Sequence, residues 1–392
     1  MFQRLAKDLD EVKHGAFVLG RVIVPASGRG QVYVVRSIET ADRLHPVELE
    51  RLLPTADEYS FLLETGARHR ILAFQDTNGD RMWEPGEPLA VSAVVNDFAP
   101  QRVMADLVLT PVQQSPGIDL DLRASAVRER RPIAAGEVTT LADPAFDEVR
   151  AADGMWRPLT TAKQSGFGVY FLEPYDPARI PVLFIHGIEG SPRDFRKMIA
   201  ALDHSHYQAW VVSYPSGIRL PIVADLVRDI LVGLHDRLAV RHLVLVGHSV
   251  GGIVSRSLVL DLVRRGEAGF LDRLITLSTP YAGIAAAGQG VRYAPTVVPS
   301  WMDATPGSEF LRSIEAPLPR TLPFDLFFSY GRRSATVGGN NDGVVAIDSQ
   351  LSPYARKDAA RIFACEGDHV GILSHPETLK QLQELLEPGA AP

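Results

Sequence analysis

Residues 242–266 read HLVLVGHSVGGIVSRSLVLDLVRRG, in which an uninterrupted apolar run leads into a helical pattern. A run such as 242–248 is typical of a strand that is covered on both faces of a parallel sheet. At the junction stands GHSVG (247–251), a G-x-S-x-G motif between strand and helix. This context predicts a sharp turn that raises Ser249 above the sheet, with glycines where bulkier residues would clash. We therefore predict that Ser249 is a nucleophile; the alternative is a tight turn with an incidental serine.

Strands and helices alternate along the chain on both sides of this motif. The alternation predicts a doubly wound, mostly parallel sheet of the α/β class, which we place at residues 151–392. Ser191 and Pro192 mark the start of one helix, as an N-cap and a first helical residue. The predicted strands are residues 181–187, 209–214, 242–248, 271–279, 325–331 and 360–367, and the predicted helices are residues 191–203, 220–238, 251–266 and 375–387.

A serine hydroxyl needs a base to take its proton, and imidazole serves this purpose. In this architecture the acid and then the histidine follow the serine along the chain. GDHVG (367–371) lies between the last predicted strand and the last predicted helix, which favours His369 as the base. His375 is the alternative, although the start of a helix is more typical of a capping residue. We expect the His248 side chain to point away from the Ser249 hydroxyl.

The acid that orients the imidazole is expected in the loop after the predicted strand 325–331. Asp342 lies there, in VGGNNDGVV (337–345), and would hold the imidazole tautomer and stabilise the imidazolium. The segment could also be an Asn-Asp-Gly turn without chemistry, because these residues favour turns. In that case the carboxylates of Asp348 and Asp325 are the next candidates for the acid.

The loop HGIEG (186–190) follows the first central strand and predicts an oxyanion hole. The expected donors are the backbone N–H groups of Ile188 and Val250, aimed at the charge that develops on a carbonyl oxygen. We expect His186 and Gly187 to contact the substrate, since glycine lets the main chain approach it closely. The alternative is a plain turn at a strand end.

Six segments occur together and in order, and they resemble one family. They are HGIEGSPRDF, SYPSG (213–217), GHSVGG, STPYAG (278–283), NNDGVV and GDHVGIL. Over about residues 168–387 they look like the α/β-hydrolase lipases and esterases, especially the branch that includes GPI inositol-deacylase-like proteins. The resemblance implies these roles: nucleophile Ser249, acid Asp342, base His369, and oxyanion donors Ile188 and Val250.

The segment 282–324 is rich in Ala, Gly and Pro and predicts a cap insertion between two strands. An apolar lid over an acyl pocket would exclude water from the site, and we expect Trp301 and Met302 to contact the substrate. Tyr281 stands where many relatives carry His; we expect it at the substrate side of the cap, where it affects cap packing. The alternative is a packed insertion that never moves. The apolar residues of the segment are Val297, Val298, Trp301, Met302, Phe310 and Leu311.

Residues 1–150 show a different rhythm, with short β-rich segments bounded by turn residues. This pattern predicts a smaller all-β sandwich domain. Its one candidate helix inside the domain is PVELERLL (46–53), and residues 111–165 read as a linker with an approach strand. Apolar residues within 2–12 fall at helical spacing and predict a short docked helix. The predicted strands are residues 16–24, 31–38, 59–65, 69–76, 88–95 and 103–110.

The segment DTNGDRMWEPGE (76–87) carries oxygen-bearing side chains at positions 1, 3, 5, 9 and 12, as an EF-hand loop does. Arg81 stands where that loop requires glycine, and Pro85 with the neighbouring strands replaces the flanking helices. A structural Ca²⁺ site is therefore one hypothesis, and an acidic turn stabilised by Asx hydrogen bonds is the other. The candidate ligands are Asp76, Asn78, Asp80, Glu84 and Glu87.

Charge and composition limit the remaining function classes. The formal net charge is −7, which argues against a nucleic-acid binder because phosphate contacts need clustered Lys and Arg. The single cysteine, Cys365, permits neither an intramolecular disulfide nor a cysteine-based zinc cluster. The sequence contains no apolar run of about 18 residues, so it predicts no membrane span. Association with a membrane surface stays open. The N-terminal residues predict no signal peptide, which favours the cytoplasm unless a leader was removed.

These residues together favour a serine carboxylester hydrolase, an esterase or lipase, acting on a small-molecule or lipid ester. We expect an acyl-enzyme intermediate and no required cofactor. One alternative is an acyltransferase or amidase on the same three residues. The second is a catalytically idle binding or scaffold protein, because fold and motif alone do not establish turnover.

Overall fold

The computed structural model divides the chain into two compact units, residues 10–133 and a second unit that holds residues 134–392. The predicted boundary at residue 150 falls inside the second unit, because residues 134–138 form an edge strand of its sheet. The structure describes residues 16–24, 30–40, 44–51, 58–63, 67–95, 102–104, 106–113, 120–123, 133–332, 334, 337 and 339–387. The helix predicted within residues 2–12 lies outside these described residues.

The first unit is built from two β-sheets. Its strands are β1 (Ala16–Ile23), β2 (Gln31–Glu39), β3 (Leu44–Arg51), β4 (Glu58–Leu63), β5 (Arg68–Asp76), β6 (Pro88–Val91), β7 (Arg102–Met104), β8 (Leu107–Val108) and β9 (Thr110–Pro111). One sheet has the order β4-β1-β7, with β8 also paired to β1. The other has the order β3-β2-β5-β6-β9, and all its pairs are antiparallel.

The alternation of side chains along β5 explains how these sheets pack. Ile71 and Ala73 share one buried cluster with Val18 and Phe61 of the other sheet. The intervening residues, such as Leu72, belong to a second cluster on the opposite face. Successive side chains on a strand point to opposite faces, so one face of the sheet builds the core between the two sheets. The predicted all-β sandwich is therefore confirmed.

The second unit is a layered α/β structure around one eight-stranded sheet. Its strands are β10 (Ala134–Val138), β11 (Gly168–Phe171), β12 (Ile180–Ile185), β13 (Tyr207–Ser213), β14 (Leu243–His248), β15 (Leu271–Leu277), β16 (Phe324–Tyr330) and β17 (Arg361–Glu366). The order is β10-β11-β13-β12-β14-β15-β16-β17, and only the β11–β13 pair is antiparallel among these described strands. The predicted fold class, a doubly wound and mostly parallel sheet, is confirmed.

Helices cover the sheet and form the cap. They are α1 (Glu148–Trp156), α2 (Pro158–Ser165), α3 (Arg196–Ala200), α4 (Leu220–Leu238), α5 (Val250–Arg265), α6 (Ala285–Tyr293), α7 (Pro299–Ala304), α8 (Glu309–Ser313), α9 (Ile347–Gln350), α10 (Pro353–Asp358) and α11 (Pro376–Leu385). Every residue of β14 is buried, which explains its uninterrupted apolar sequence. The cap consists of α6, α7 and α8.

Local signals predicted most of these helices, and two segments differ. The Ser191 hydroxyl accepts from the Arg193 backbone N–H at 3.3 Å and starts a 3₁₀ turn, Pro192–Phe195, that leads into α3. Residues 46–53 were expected to be helical, but residues 46–51 belong to β3, because antiparallel pairing with β2 outweighs the local pattern. Residues 52–53 lie outside the described residues. The predicted linker contains α1 and α2. None of the helices within the described residues is long and apolar enough to cross a membrane.

Candidate active site

Ser249 lies at the sharp turn between β14 and α5. Its backbone angles are φ 54° and ψ −129°, which residues with a side chain rarely adopt. Its N–H donates to the Leu277 carbonyl at 2.9 Å, so the neighbouring strand β15 helps to hold this conformation. The turn places the serine at the carboxyl end of the central strand, where sites of parallel sheets form.

The glycines around Ser249 are required by close backbone packing. A Cβ at Gly251 would lie 2.1 Å from the Ile185 carbonyl oxygen, and one at Gly247 would lie 2.6 Å from the Gly252 Cα. Since real atoms never approach so closely, any larger residue would displace the nucleophile turn from β12 or distort it.

Three side chains from separate loops meet at this turn. His369, in the loop after β17, has its Nε2 2.8 Å from the Ser249 Oγ. Its Nδ1 lies 2.7 Å from the Asp342 Oδ2. Ser249, His369 and Asp342 are 4%, 7% and 0% exposed, so water screens these contacts weakly. The structure thus brings together the three residues that the sequence predicted as nucleophile, base and acid.

The Asp342 carboxylate is surrounded by hydrogen-bond donors. Its Oδ1 accepts from the backbone N–H groups of residues 344–345 at 3.0 and 2.7 Å. Its Oδ2 accepts from the Ser329 Oγ at 2.8 Å and from the Gln350 Nε2 at 3.1 Å, besides His369. Burial raises the pKa of Asp342, but the hydrogen bond and charge of His369 and the backbone N–H groups outweigh burial and hold that pKa below its usual value. This carboxylate is therefore ionised and fixed in orientation.

Ser329 and Gln350 are functional residues that sequence reasoning missed. Ser329 lies on β16 and Gln350 on α9, and both reach Asp342 only through the tertiary fold. The Gln350 Oε1 also accepts from the Ser329 backbone N–H at 2.9 Å, which locks the amide in place. No local motif marks either residue.

His248, next to the nucleophile, binds the base from the other side. Its Nε2 lies 2.8 Å from the His369 carbonyl oxygen. Burial, followed by the neighbouring His369, lowers the pKa of His248 to about 3. The neutral ring therefore donates its Nε2–H to this carbonyl, and its side chain is directed at the His369 main chain, not at the Ser249 hydroxyl.

The three rival candidates for base and acid lie elsewhere. His375 caps α11 and accepts from the Glu377 backbone N–H at 3.3 Å. Asp325 is fully buried and forms ion pairs with Arg273 and Arg361 at 2.5 and 2.8 Å. Asp348 is exposed in the first turn of α9. None of these three is the group that contacts the His369 ring in the described structure.

The loop after β12 lies against the nucleophile. A Cβ at Gly187 would stand 2.8 Å from the Ser249 Cβ, so the glycine permits this close approach. The next residue, Ile188, carries one predicted oxyanion donor. Val250, the other, is the first residue of α5, where the backbone N–H has no partner inside the helix.

His186 supports this loop from beneath. Its Nδ1 donates to the Gly187 carbonyl at 2.9 Å, and its Nε2 accepts from the Tyr214 backbone N–H at 3.4 Å. The ring stacks on Tyr214 with centroids 4.2 Å apart. Burial lowers the pKa of His186 to about 4, in keeping with a neutral ring. Both ring nitrogens are occupied, and contact of this side chain with the substrate stays a prediction.

Comparison with known proteins finds a family profile that matches part of the chain. A sequence profile described as the alpha/beta hydrolase fold matches residues 180–324. The chain has the α/β-hydrolase fold. Comparison with curated proteins gives no match. The narrower resemblance to GPI inositol-deacylase-like lipases stays a prediction.

Several solved structures are similar to this chain over somewhat more than half of its length. The mature lipase BlEst2 of Bacillus licheniformis is 20% identical over 55% of this chain and 98% of its own, with a TM-score of 0.42. The lin2722 gene product of Listeria innocua is 15% identical over 53% and 94%, with a TM-score of 0.41. A structure from a study of carboxylesterases of Nitrososphaera gargenis is 14% identical over 55% and 92%, with a TM-score of 0.36. These values are too low for any argument about activity.

Tyr281, which was predicted at the substrate side of the cap, is packed inside the protein. Tyr281 is 1% exposed, and its hydroxyl donates to the Thr276 Oγ1 at 2.9 Å. Its ring packs edge-on against Phe324 and Tyr354. Contact of Tyr281 with the substrate stays a prediction.

The cap is fixed to the domain by an ion pair. The Arg219 guanidinium binds both carboxylate oxygens of the buried Asp303, with its Nη2 2.7 Å from Oδ1 and its Nε 2.8 Å from Oδ2. Asp303 also accepts from the Leu220 backbone N–H at 2.8 Å. The bonds tie the end of α7 to the start of α4. The remaining predicted contacts, Trp301 and Met302, lie half-buried on α7, and motion of the lid stays a prediction.

The acidic loop of the first unit is held by its own backbone. The Asp76 Oδ1 accepts from the Gly79 N–H at 2.6 Å, and its Oδ2 accepts from the Arg81 N–H at 3.0 Å. The Glu87 Oε1 accepts from the Thr77 N–H at 2.7 Å. Arg81 takes the positive φ of 61° that the sixth loop position requires.

The remaining candidate ligands are also hydrogen-bonded within the loop. The Asn78 Nδ2 lies 3.1 Å from the Asp80 Oδ2 and 3.3 Å from the Glu84 Oε2. In the part of the chain that the structure describes, no group of three or more Asp, Glu, His or Cys side chains is arranged to hold a metal ion. Calcium binding by this loop stays a prediction, and no metal-coordinating arrangement of these side chains in the described residues supports it.

Proposed function

We propose that this protein is a serine hydrolase that cleaves carboxylic esters through an acyl-enzyme intermediate. One observation carries the proposal: the Ser249 Oγ, the His369 ring and the Asp342 carboxylate are joined by hydrogen bonds of 2.8 and 2.7 Å. A nucleophile bound to a base that is itself oriented by an acid is the arrangement that acyl transfer needs.

In the first half of the reaction, the His369 Nε2 accepts the Ser249 proton while the Oγ attacks the ester carbonyl carbon. The carbonyl π pair moves to oxygen, and the backbone N–H groups of Ile188 and Val250 stabilise the oxyanion. When the carbonyl re-forms, the carbon–alkoxy bond breaks, and the alkoxide leaves as an alcohol with the His369 proton. Each oxyanion donor contributes on the order of 100-fold to the rate.

In the second half, a water molecule replaces the alcohol. The His369 Nε2 takes a proton from the water, and the resulting hydroxide attacks the acyl carbon. The Ser249 Oγ then leaves and recovers the proton from the imidazolium. Asp342 remains ionised throughout and stabilises the imidazolium, which its lowered pKa supports.

The test is hydrolysis of nitrophenyl esters of increasing acyl length, with Ser249→Ala as the inactive variant. Ser205→Ala, which removes an exposed hydroxyl from a surface turn, is the matched control. We expect Ser249→Ala to lose about 1,000-fold or more of kcat, and the control to keep it. Full activity in Ser249→Ala overturns the mechanism. Acyl transfer to an added alcohol or amine in preference to water indicates an acyltransferase, and wild-type protein that turns over no ester indicates a binding protein.

A further inference from the structure

Five apolar side chains from three elements meet beside the oxyanion loop. We call them the aromatic wall. Met155 and Val298 are buried, and Ile188 and Trp301 pack against them. The Trp156 ring meets the Trp301 ring edge to face, with centroids 5.6 Å apart and an interplanar angle of 87°. The wall consists of Met155 and Trp156 at the end of α1, Ile188 in the loop after β12, and Val298 and Trp301 at α7.

Close backbone contacts hold the α1 side of the wall in place. The Gly217 N–H donates to the Gly154 carbonyl at 2.9 Å. A Cβ at Gly217 would lie 2.2 Å from the Met155 carbonyl oxygen, so the glycine lets α1 dock on this loop. The wall residues of α1 are therefore fixed with respect to the loop that follows β13.

The cap side of the wall is held equally closely. A Cβ at Gly290 of α6 would lie 2.6 Å from the Trp301 ring, which shows that the indole lies directly on this helix. The Ser300 N–H donates to the Gly217 carbonyl at 3.2 Å, so the same loop anchors both halves. A surface that is rigid before binding loses little entropy when a ligand packs on it.

Ile188 connects the wall to the proposed chemistry. Its backbone N–H is the proposed oxyanion donor, which must come within about 3 Å of the reacting oxygen. The side chain of that residue belongs to the wall, so the wall begins at the residue whose N–H would bind the ester carbonyl oxygen. At the rim, the Trp156 Nε1 donates to the Glu189 carboxylate at 3.3 Å, which satisfies the polar edge of the indole. The Trp156 ring is still 37% exposed.

We propose that the aromatic wall is a subsite for a neutral, apolar substituent of the ester, and that it makes the enzyme prefer esters with longer alkyl chains. The proposal rests on the proposed function, because it places the reacting carbonyl between Ser249 and Ile188. Each methylene group buried on such a surface raises binding roughly fourfold. The exposed Glu189 carboxylate at the rim disfavours an anionic substituent by repulsion.

The experiment measures kcat/KM in two ester series. Nitrophenyl acetate, butanoate and octanoate vary the acyl chain, and ethyl, butyl and octyl acetate vary the alcohol chain. In one of the two series, we expect Trp301→Ala to lower the ratio of kcat/KM for the longest ester to kcat/KM for the shortest ester at least tenfold. Trp156→Ala should lower this ratio less. Trp301→Phe should restore most of the ratio, and the series that responds identifies which part of the ester meets the wall. Tyr293→Ala, which removes an exposed aromatic ring from the same cap, should leave both ratios unchanged.

Two outcomes separate failure of the wall from failure of the proposed function. Suppose that both tryptophan variants are folded by circular dichroism and turn over esters with unchanged kcat/KM ratios. This result overturns the proposed subsite and leaves the proposed hydrolase function intact. If the wild type turns over no ester, a binding experiment tests the wall instead. It compares the affinity for 1-hexanol with the affinity for ethanol and uses tryptophan fluorescence as the readout. Weaker hexanol binding in Trp301→Ala supports the subsite, and equal binding in the two proteins overturns it.

Discussion

The imidazole of His248 holds the main chain of His369, with its Nε2 2.8 Å from the carbonyl oxygen. The residue that precedes the nucleophile thus anchors the loop that carries the base. The rings of the two histidines lie 5.0 Å apart and are tilted by 47°, so the contact is made through the backbone. The end of β14 and the loop after β17 are therefore joined by this neutral hydrogen bond in addition to the contact between Ser249 and His369.

His248→Phe removes the donor while keeping a ring of similar shape. A buried carbonyl left without its partner costs about 1–3 kcal/mol, and here the strain falls on the segment that positions the base. We expect kcat on a nitrophenyl ester to fall roughly tenfold, with KM changed much less, because the substrate contacts remain. His242→Phe, at an exposed histidine paired with Asp272, is the matched control. Unchanged kcat in His248→Phe would contradict the anchoring role.

Two buried neutral histidines make the folded protein sensitive to mild acid. Burial, with His369 next in effect, lowers the pKa of His248 to about 3, and burial lowers the pKa of His186 to about 4. An unfolded histidine titrates near 6.5, so below about pH 6.5 the unfolded chain binds protons that the folded chain does not. The free energy of unfolding therefore falls as the pH falls, by up to about 1.4 kcal/mol per pH unit for each histidine. The loss stops near pH 4 for His186 and near pH 3 for His248.

Urea unfolding at pH 7.5, 6.5 and 5.5 checks this sign, because carboxylates change charge little in that range. We expect the wild type to lose stability across the series, and His248→Phe to lose less because one titrating site is gone. His242→Phe should follow the wild type, since that ring is 62% exposed in the folded protein. Parallel pH dependences in the wild type and His248→Phe would show that His248 is not buried in its neutral form.

Gln350→Leu tests the amide that fixes the Asp342 carboxylate. The Gln350 Nε2 donates to the Asp342 Oδ2 at 3.1 Å, and its Oε1 accepts from the Ser329 N–H at 2.9 Å. Losing both bonds removes one of the donors that orient the Asp342 carboxylate toward His369, and we expect kcat/KM to fall roughly tenfold, which corresponds to about 1.4 kcal/mol. The pKa of Asp342 should rise with the loss of a donor. Gln381→Leu, at a half-buried glutamine on α11 that does not contact Asp342, provides the control.

The parts of the molecule that were predicted from sequence are those marked by local patterns. The G-x-S-x-G motif lies between an apolar strand and a helix. This context predicted the turn at Ser249 and a buried strand of a parallel sheet. Asp342 and His369 followed from their order after predicted strands. The carboxylate donors Ser329 and Gln350 carry no such mark, because their role depends on how β16 and α9 pack.

Two other segments show the same limit of local patterns. Residues 46–53 were predicted as a helix, yet pairing with β2 makes residues 46–51 part of a strand. Residues 148–156 were predicted to be part of a polar linker. Only the tertiary fold shows that they form a helix and that Trp156 contacts Trp301. Contacts between distant segments decide both cases, and a single sequence does not display them.

Asp76→Ala tests what stabilises the acidic loop of the first unit. The buried Asp76 carboxylate accepts from the Gly79 and Arg81 N–H groups at 2.6 and 3.0 Å, so its loss leaves two donors without their acceptor. We expect the free energy of local opening of residues 67–95 to fall by about 1–3 kcal/mol. Amide hydrogen exchange in β5 should then be at least several-fold faster. Glu84→Gln, at an exposed carboxylate of the same loop, should change the exchange little. Because the chain itself supplies the donors, the effect of Asp76→Ala should be equal in EDTA and in millimolar Ca²⁺. Calcium that slows exchange in the wild type but not in Asp76→Ala would instead establish the loop as a metal site.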